Sequence, residues 1–360
     1  MPSGVVYRVA QTSHPERYSW RGRRSWQRSL RSLRQDFSNR PMRIFSDIES
    51  DGSVGSSVDL TDARERIRTN LSGVGATIAL ASARGGVGKS MLAVNIAAAL
   101  AMKGRKVAIF DADLNSPSVA AMLGIKPQRR YPMTEGIEPA AGPHGLRVVS
   151  SDQLPGGEAP PISFVADYNQ DDYDRSNGNN GEPVAPASAR PVALSYREAL
   201  RRLLAQAQFG SVDFLIIDLA TGLDRLCSVA AMVALDGVLL LSLPSAHDTI
   251  AARQAIKIGR AIGAPIVGIV ENMVGFNCDG CRTVRPLWPD GDLYGVAREA
   301  AVPILARLAF EPRLADSSDR GVLFVREYGS TPIGKVLADI AGRLEAIVPA
   351  RPRAADTPAG

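Results

Sequence analysis

Cysteine is scarce in this sequence, with three residues in a chain of 360. Three cysteines cannot build a disulfide framework, which excludes the small disulfide-stabilised class of secreted domains and favours a reducing compartment. Cys278 and Cys281 lie three positions apart, and this spacing predicts metal binding or redox chemistry. Cys227 lies in the apolar stretch LCSVAAMV, where we expect a small core residue.

Long apolar runs are also lacking. No stretch approaches the ~20 residues that span a bilayer, and the N-terminus has no apolar segment of the kind that forms a secretory signal. We therefore expect a cytoplasmic protein. Import into mitochondria is the alternative, because the N-terminal segment is rich in arginine and serine and poor in acids. Histidine is equally scarce, and the three isolated histidines have no expected role: His14, His144 and His247.

Residues 1–46 are predicted to form a basic arm. Residues 1–45 contain ten arginines, no lysine and only two acids. Four apolar side chains fall at helical spacing within it: Trp26, Leu30, Leu33 and Phe37. Such an arm could bind an acidic surface, either a membrane or nucleic acid, or an import receptor; the alternative is a flexible arm without a partner. Residues 47–75 are predicted to be a linker with one short helix from Leu60 to Asn70.

Residues 76–348 alternate apolar strands with amphipathic helices, which predicts an α/β fold with a doubly wound, mostly parallel sheet and helices on both faces. The predicted strands are 76–83, 106–113, 146–151, 212–220, 237–244, 265–272 and 304–310. The predicted helices are 89–103, 195–208, 225–234, 247–262 and 332–348. Residues 156–191 are rich in Pro, Asn, Asp and Gly, which predicts a disordered insertion, and residues 349–360 are expected to be a tail.

The stretch ASARGGVGKS, residues 81–90, joins a predicted strand to a predicted helix and is typical of a phosphate-binding loop. The backbone of four residues is expected to surround the phosphates: Gly85, Gly86, Val87 and Gly88. Lys89 is expected to reach the β- and γ-phosphates of ATP, and the Ser90 hydroxyl to bind Mg²⁺. Ala83 stands where the strict P-loop pattern has its first glycine.

Acidic residues end two other predicted strands. Asp111 and Asp113 lie in IFDADLNSPS, and Asp218 lies in FLIIDLATG. Because the carboxyl ends of parallel strands meet at one edge of a sheet, we expect these carboxylates to lie near the phosphates. The alternative is a glycine-rich turn with unrelated acids.

The motif RGGVGKS resembles the deviant Walker A motif of the MinD/ParA/Mrp class of ATPases, in which a lysine usually precedes the two glycines. The resemblance implies that Arg84, at this lysine position, reaches across a dimer to the nucleotide of the partner. It also implies that Asp113 orients or activates the attacking water. Asp111 is implied to support the switch and the magnesium site, and Asp218 to hold Mg²⁺ through water.

Two downstream segments resemble the Mrp/ApbC family of iron–sulfur carrier ATPases: PIVGIVENMVGFNCDGC at 265–281 and VPILARLAFEPRLADSSDRGVLFV at 302–325. The resemblance covers roughly residues 76–348. It implies that Asn272 lies near the adenine base and that Pro312 belongs to the segment flanking it. It further implies a [4Fe–4S] cluster on Cys278 and Cys281 and delivery of that cluster to apo iron–sulfur proteins.

The two nearby thiols supply half of the four ligands that a [4Fe–4S] cluster or a structural zinc requires. A twofold homodimer would complete the set with the same two residues of the second chain. Iron–sulfur and zinc both remain open on this argument.

Several positions depart from the family pattern and indicate a divergent member. The segment DLATGLD replaces DLPPGTGD and lacks both prolines, and CDGC replaces CPxC.

The preferred hypothesis is an ATP-binding and slowly hydrolysing homodimer that carries an iron–sulfur cluster. The alternative is a ParA/MinD-like positioning or regulatory ATPase that binds DNA or membrane through its basic arm.

Overall fold

The computed structural model describes residues 57–126, 136–151, 196–277, 283–289 and 291–351. Three predicted features lie outside the described residues: the basic arm 1–46, the insertion 156–191 and the cysteine pair Cys278 and Cys281. Of the predicted tail, only residues 349–351 are described.

A central sheet of eight strands organises the described residues, in the order β10-β7-β6-β1-β5-β2-β4-β3. The strands are β1 Val74–Ala81, β2 Val107–Ala112, β3 Ala140–Ala141, β4 Arg147–Val149, β5 Val212–Leu219, β6 Gly237–Ser242, β7 Ile266–Glu271 and β10 Ile304–Arg307. All pairs are parallel except the one between β3 and β4 at the edge. A separate antiparallel pair consists of β8 Gly275–Asn277 and β9 Val284–Pro286.

Helices cover both faces of the sheet. One face packs against α2 Lys89–Met102, α3 Val119–Met122, α8 Pro312–Asp319, α9 Phe324–Glu327 and α10 Pro332–Ile347. The other packs against α1 Ser57–Leu71, α4 Tyr196–Gln206, α5 Leu223–Ala230, α6 Ala246–Ala261 and α7 Leu293–Glu299. None of the helices in the described part of the chain is both long and apolar enough to cross a membrane.

The central strands are apolar throughout because both of their faces are buried. In β1, Ile78 and Leu80 point to the core under α2 and α10, whereas Ala79 and Ala81 point to the core under α4 and α6. The helix α2 is itself apolar on nearly all sides, as expected for a helix enclosed by its neighbours. This packing holds the start of α2 rigidly at the end of β1.

The predicted fold class is confirmed, and each of the seven predicted strands is present. The short strands β3, β8 and β9 were not predicted, because each has only two or three residues and none lies in an apolar run like the one that revealed β4. The lead-in helix α1 starts at Ser57, three residues before the predicted start. Cys227 was expected to be a small core residue, and it lies in α5 with its side chain only partly buried.

Candidate functional site

The carboxyl ends of the parallel strands meet at one edge of the sheet, where the predicted acids of β2 and β5 lie next to each other. The chain leaves β1 at Ala81 and enters the loop that precedes α2. Neighbouring strands β2 and β5 are aligned so that Asp111 lies opposite Asp218. Because β1 separates β5 from β6 in the sheet, the loop lies where the strand order reverses, which is the usual ligand-binding position in such folds.

The loop between β1 and α2 has the backbone geometry of an anion cradle. Gly86 and Gly88 adopt left-handed conformations with φ of 73° and 83°, which side-chain-bearing residues rarely adopt. Gly88 is the N-cap of α2, and no side chain caps the helix there. The N–H groups in the first turn of α2 are therefore available to phosphate oxygens. Phosphate binding by the backbone of residues 85–88 stays a prediction.

Lys89 and Asp218 form a buried ion pair directly behind this loop. The Lys89 Nζ lies 3.3 Å from Asp218 Oδ1, and the two side chains are 7% and 0% exposed. Burial raises the pKa of Asp218, while the charge of Lys89 and the nearby Ser90 hydroxyl oppose this shift. Asp218 Oδ2 is buried and has no hydrogen-bond partner among the described residues.

The unpartnered oxygen of Asp218 and the Ser90 hydroxyl fit a magnesium ion. Both are hard oxygen donors, the kind that Mg²⁺ prefers, and both adjoin the cradle where phosphate oxygens would complete the coordination. Among the described residues, no group of three or more His, Cys, Asp and Glu side chains is arranged to hold a metal. A metal here would therefore depend on nucleotide and water for its remaining ligands.

Asp111 is a buried carboxylate that organises the loop after β2. Its Oδ1 accepts the N–H of Asp113 at 3.1 Å, and its Oδ2 accepts the N–H groups of Ser118 and Val119 at 2.9 and 3.0 Å. Burial, followed by the charge of Asp218, raises the pKa of Asp111 to about 7. The described contacts thus show support of the loop, and a contribution to magnesium binding stays a prediction.

Asp113 follows β2 directly and is partly exposed at the same edge. Its Oδ1 accepts the N–H of Ser116 at 3.3 Å, so the side chain closes a turn of its own loop. The role of Asp113 toward the attacking water remains a prediction.

Arg84 is bound within its own chain. Its Nη1 lies 3.0 Å from Oδ2 of Asp248, which is buried near the start of α6 and also accepts a hydrogen bond from Ser245. The Arg84 side chain is half exposed. The resemblance instead implies a reach toward a partner's nucleotide, which would require this ion pair to open.

Asn272 joins the phosphate loop to the segment that leads to the cysteines. Its Nδ2 donates to the Val87 carbonyl at 2.9 Å, and the residue is buried. The Trp288 indole donates to the carbonyl of Met273 at 3.1 Å, which holds the next residue from the far side of the β8–β9 pair.

The cysteine stretch begins and ends on the paired strands β8 and β9. Asn277 pairs with Val284, Cys278 follows Asn277 in the chain, and Cys281 precedes Thr283 by two residues. The Phe310 N–H donates to the Gly275 carbonyl, which attaches the start of β8 to the segment before α8.

Pro312 lies in the first turn of α8, two residues after Phe310. The Leu308 N–H donates to the Glu271 carbonyl at 2.9 Å, which attaches the chain before Pro312 to the end of β7. The position of Pro312 beside adenine stays a prediction.

Sequence reasoning missed Asp248 as the partner of Arg84. The pattern Ser245-x-x-Asp248 is a visible helix start, and Ser245 does cap α6. No local pattern could reveal the ion pair, which joins residues 164 positions apart.

Comparisons with known proteins place this geometry in context. A model of the ParA family, described as NUBPL iron-transfer P-loop NTPase, matches residues 73–166 and 192–345. The iron-sulfur cluster carrier protein of Saccharolobus solfataricus is 29% identical over 310 residues, covering 86% of this chain and 94% of that protein. The corresponding protein of Methanococcus maripaludis is 31% identical over 282 residues, covering 76% and 88%.

Solved structures agree on the fold. A nucleotide-binding protein of Archaeoglobus fulgidus in complex with ADP is 25% identical with a TM-score of 0.55, covering 76% of this chain and 95% of that one. The cell division ATPase MinD of Pyrococcus furiosus is 18% identical with a TM-score of 0.51, covering 76% and 99%, and shares the fold alone.

Proposed function

This chain belongs to the ParA family of NUBPL iron-transfer P-loop NTPases, and we propose that it is an ATP-dependent carrier of iron–sulfur clusters. It acts as a homodimer that holds a [4Fe–4S] cluster between subunits on Cys278 and Cys281 of each copy. It delivers the cluster to apo iron–sulfur proteins, in the cytoplasm, where reducing conditions keep the thiols free.

The supporting observation is the short physical connection between the phosphate loop and the cysteines. Asn272 is hydrogen-bonded to Val87 in that loop, and Cys278 comes six residues later in the chain. Six residues span about 20 Å at most. A conformational change at the nucleotide site can therefore be transmitted to the thiols along this short stretch of backbone, through β8.

The dimer follows from the number of ligands. One chain supplies two thiols in this stretch, and a cuboidal cluster takes four. A twofold axis through the cluster brings the second pair and makes the interface self-complementary. In the same dimer, Arg84 would leave Asp248 and offer its guanidinium to the phosphates of the partner's nucleotide.

ATP hydrolysis is the proposed reaction at the cradle. The backbone at 85–88 and the Lys89 ammonium bind the phosphates, and Ser90 and Asp218 hold Mg²⁺. Magnesium supplies charge neutralisation of the phosphates when bound. Asp113 orients the attacking water, and Asp111 keeps the loop around Asp113 in place.

Anaerobic reconstitution with iron and sulfide tests the cluster. The full chain should gain a broad charge-transfer absorbance, and Cys278→Ser/Cys281→Ser should not. Cys227→Ser is the matched control, because it removes a thiol from α5 and should keep the full signal. Equal spectra for the wild type and the double variant would refute the cluster site.

Transfer and turnover form the second half of the test. Loaded protein should activate an apo [4Fe–4S] enzyme in the presence of a chelator, and the double variant should not. Asp113→Ala should abolish ATP hydrolysis while the cluster still binds. Retained hydrolysis in that variant would refute the role of Asp113.

The partner of the basic arm remains a proposal of its own. Residues 1–45 lie outside the described residues, and their arginines would suit an anionic membrane or nucleic acid. Deleting the arm should remove any binding to anionic liposomes or DNA and leave cluster binding intact. The ParA/MinD-like positioning role would be favoured if ATP-dependent binding to DNA or liposomes required the arm, did not require the cysteines, and was the main activity of the protein.

A further inference from the structure

Tyr196 is a buried tyrosine beside the strand that carries the candidate catalytic acid. It is the first residue of α4 and is 5% exposed. Its hydroxyl donates to the carbonyl oxygen of Ala112 at 2.9 Å. Ala112 ends β2, and Asp113 is the next residue.

The peptide group between Ala112 and Asp113 is consequently held at both ends. Tyr196 binds its carbonyl, and the Asp111 carboxylate accepts its N–H at 3.1 Å. Because a peptide group is planar and rigid, these two bonds fix the direction in which the chain enters Asp113. Without the tyrosine hydroxyl, the carbonyl end of the group would lose this hydrogen bond, and the whole plane could tilt about the end that Asp111 still holds.

Arg225 covers the ring of Tyr196. Its guanidinium carbon lies 3.9 Å from the ring centroid, and its side chain is 14% exposed. A planar cation stacked this closely on an aromatic face is a directional and stabilising contact. Arg225 lies in α5, seven residues beyond Asp218. Tyr196 therefore contacts both the end of β2 and the start of α5, the two segments next to the candidate nucleotide site.

The hydroxyl of Tyr196 stays protonated at neutral pH, so it remains a donor. Burial raises its pKa, and the charges of Asp113, Asp224 and Asp111 add to that effect, against the opposing charge of Arg225.

Two described contacts restrain the short segment that joins β5 to α5. The segment contains no proline, and Gly222 has a φ of 116°, a conformation open to glycine and few other residues. The Gly222 N–H donates to the Ser82 carbonyl at 3.2 Å, which ties the segment to the loop after β1. The stacking of Arg225 on Tyr196 adds a side-chain contact that ties the first turn of α5 to α4.

We propose that Tyr196 and Arg225 are positioning residues for ATP hydrolysis. Tyr196 fixes the Ala112–Asp113 peptide group so that the Asp113 carboxylate faces the attacking water, and Arg225 holds the ring and ties α5 to it. The proposal rests on the proposed hydrolysis. In that reaction the water oxygen bonds to the γ-phosphorus and its proton passes to Asp113, while the bond to the β,γ-bridging oxygen breaks and its electron pair leaves with ADP.

Steady-state hydrolysis by the full chain tests the pair, with kcat and KM measured separately. Tyr196→Phe keeps the ring and removes the hydroxyl, so kcat should fall about tenfold, less than the roughly hundredfold that a 1 Å misplacement of a reacting group can cost. KM and the Kd for ADP should stay within about twofold of wild type, because the cradle is untouched. Arg225→Gln should lower kcat similarly, and Arg225→Lys should restore only part of it, since a cation near the ring is retained but the planar stacking is lost.

Tyr294→Phe is the matched control, because its ring also lies under an arginine, Arg307 at 5.4 Å, on the far helix α7. It should leave kcat unchanged. Should Tyr196→Phe fold poorly, as judged by its melting temperature, the Arg225 variants carry the test. A kcat within twofold of wild type in Tyr196→Phe and Arg225→Gln, with wild-type turnover present, would overturn the positioning pair alone. Wild-type protein that binds ATP without turnover would overturn the hydrolysis and the pair together.

Discussion

Replacing Asp111 with asparagine probes the electrostatics of the candidate site through protein stability. Asp111 is fully buried, and its pKa is raised to about 7 by burial and by the charge of Asp218. In the unfolded chain a carboxyl group titrates near pH 4. Between these values the folded state holds a proton that the unfolded state releases, so the free energy of unfolding falls as the pH rises through this window. Each pH unit between the two pKa values corresponds to about 1.4 kcal/mol, so the free energy of unfolding should fall by about 2–3 kcal/mol between pH 5 and pH 8.

Asp111→Asn removes this titration and keeps one oxygen that accepts backbone N–H groups. The free energy of unfolding can be measured with urea in the absence of nucleotide and Mg²⁺. The difference between the variant and wild type should shift by about 2–3 kcal/mol in favour of the variant between pH 5 and pH 8. Any constant effect of the substitution adds equally at both pH values. Asp339→Asn is the control, because its carboxylate lies at the surface of α10 in a pair with Arg343. Its difference from wild type should be the same at both pH values. If the difference in unfolding free energy between Asp111→Asn and wild type did not change with pH, or grew toward low pH, the pKa of Asp111 would not be raised in the folded state.

Three further changes address the phosphate cradle. Lys89→Ala should lower the free energy of unfolding by about 3 kcal/mol, because Asp218 loses its buried partner, and should weaken ATP binding about tenfold or more. Urea unfolding measures the first effect and calorimetry the second; a variant equal to wild type in both would contradict the prediction. Gly88→Ala should destabilise by about 1–2 kcal/mol, since φ is 83° and the new Cβ would lie 2.7 Å from Asn272 Nδ2, and a neutral result would mean that the loop is pliable. Removing Mg²⁺ with EDTA should weaken ATP binding about tenfold in wild type but much less in Ser90→Ala, and an equal effect in both would exclude the Ser90 hydroxyl as a metal ligand.

The central sheet could be predicted because its strands are buried on both faces. A run such as 212–219 is apolar almost throughout, and only a covered parallel strand tolerates that. The pair β8 and β9 could not, since three-residue strands are held by backbone pairing and leave no periodic pattern. The helix α8 was missed too, although Glu311 caps it and Pro312 occupies its first turn.

The candidate site was predictable where it depends on strand ends. Asp111 and Asp218 each end an apolar run, and parallel pairing alone brings them side by side. Contacts between distant elements were not predictable. Tyr196 reaches Ala112 across 84 positions, and neither residue stands in a motif. Such contacts depend on the position and orientation in which each helix packs on the sheet, and local sequence patterns do not encode these.

The metal and sulfide content of anaerobically purified protein shows whether two chains share one cluster. We expect about four iron and four sulfide for every two chains, in a species whose mass is that of a dimer. We also expect both elements to be lost in Cys278→Ser/Cys281→Ser. One zinc per dimer without sulfide, or iron bound to a monomer, would contradict a shared cluster.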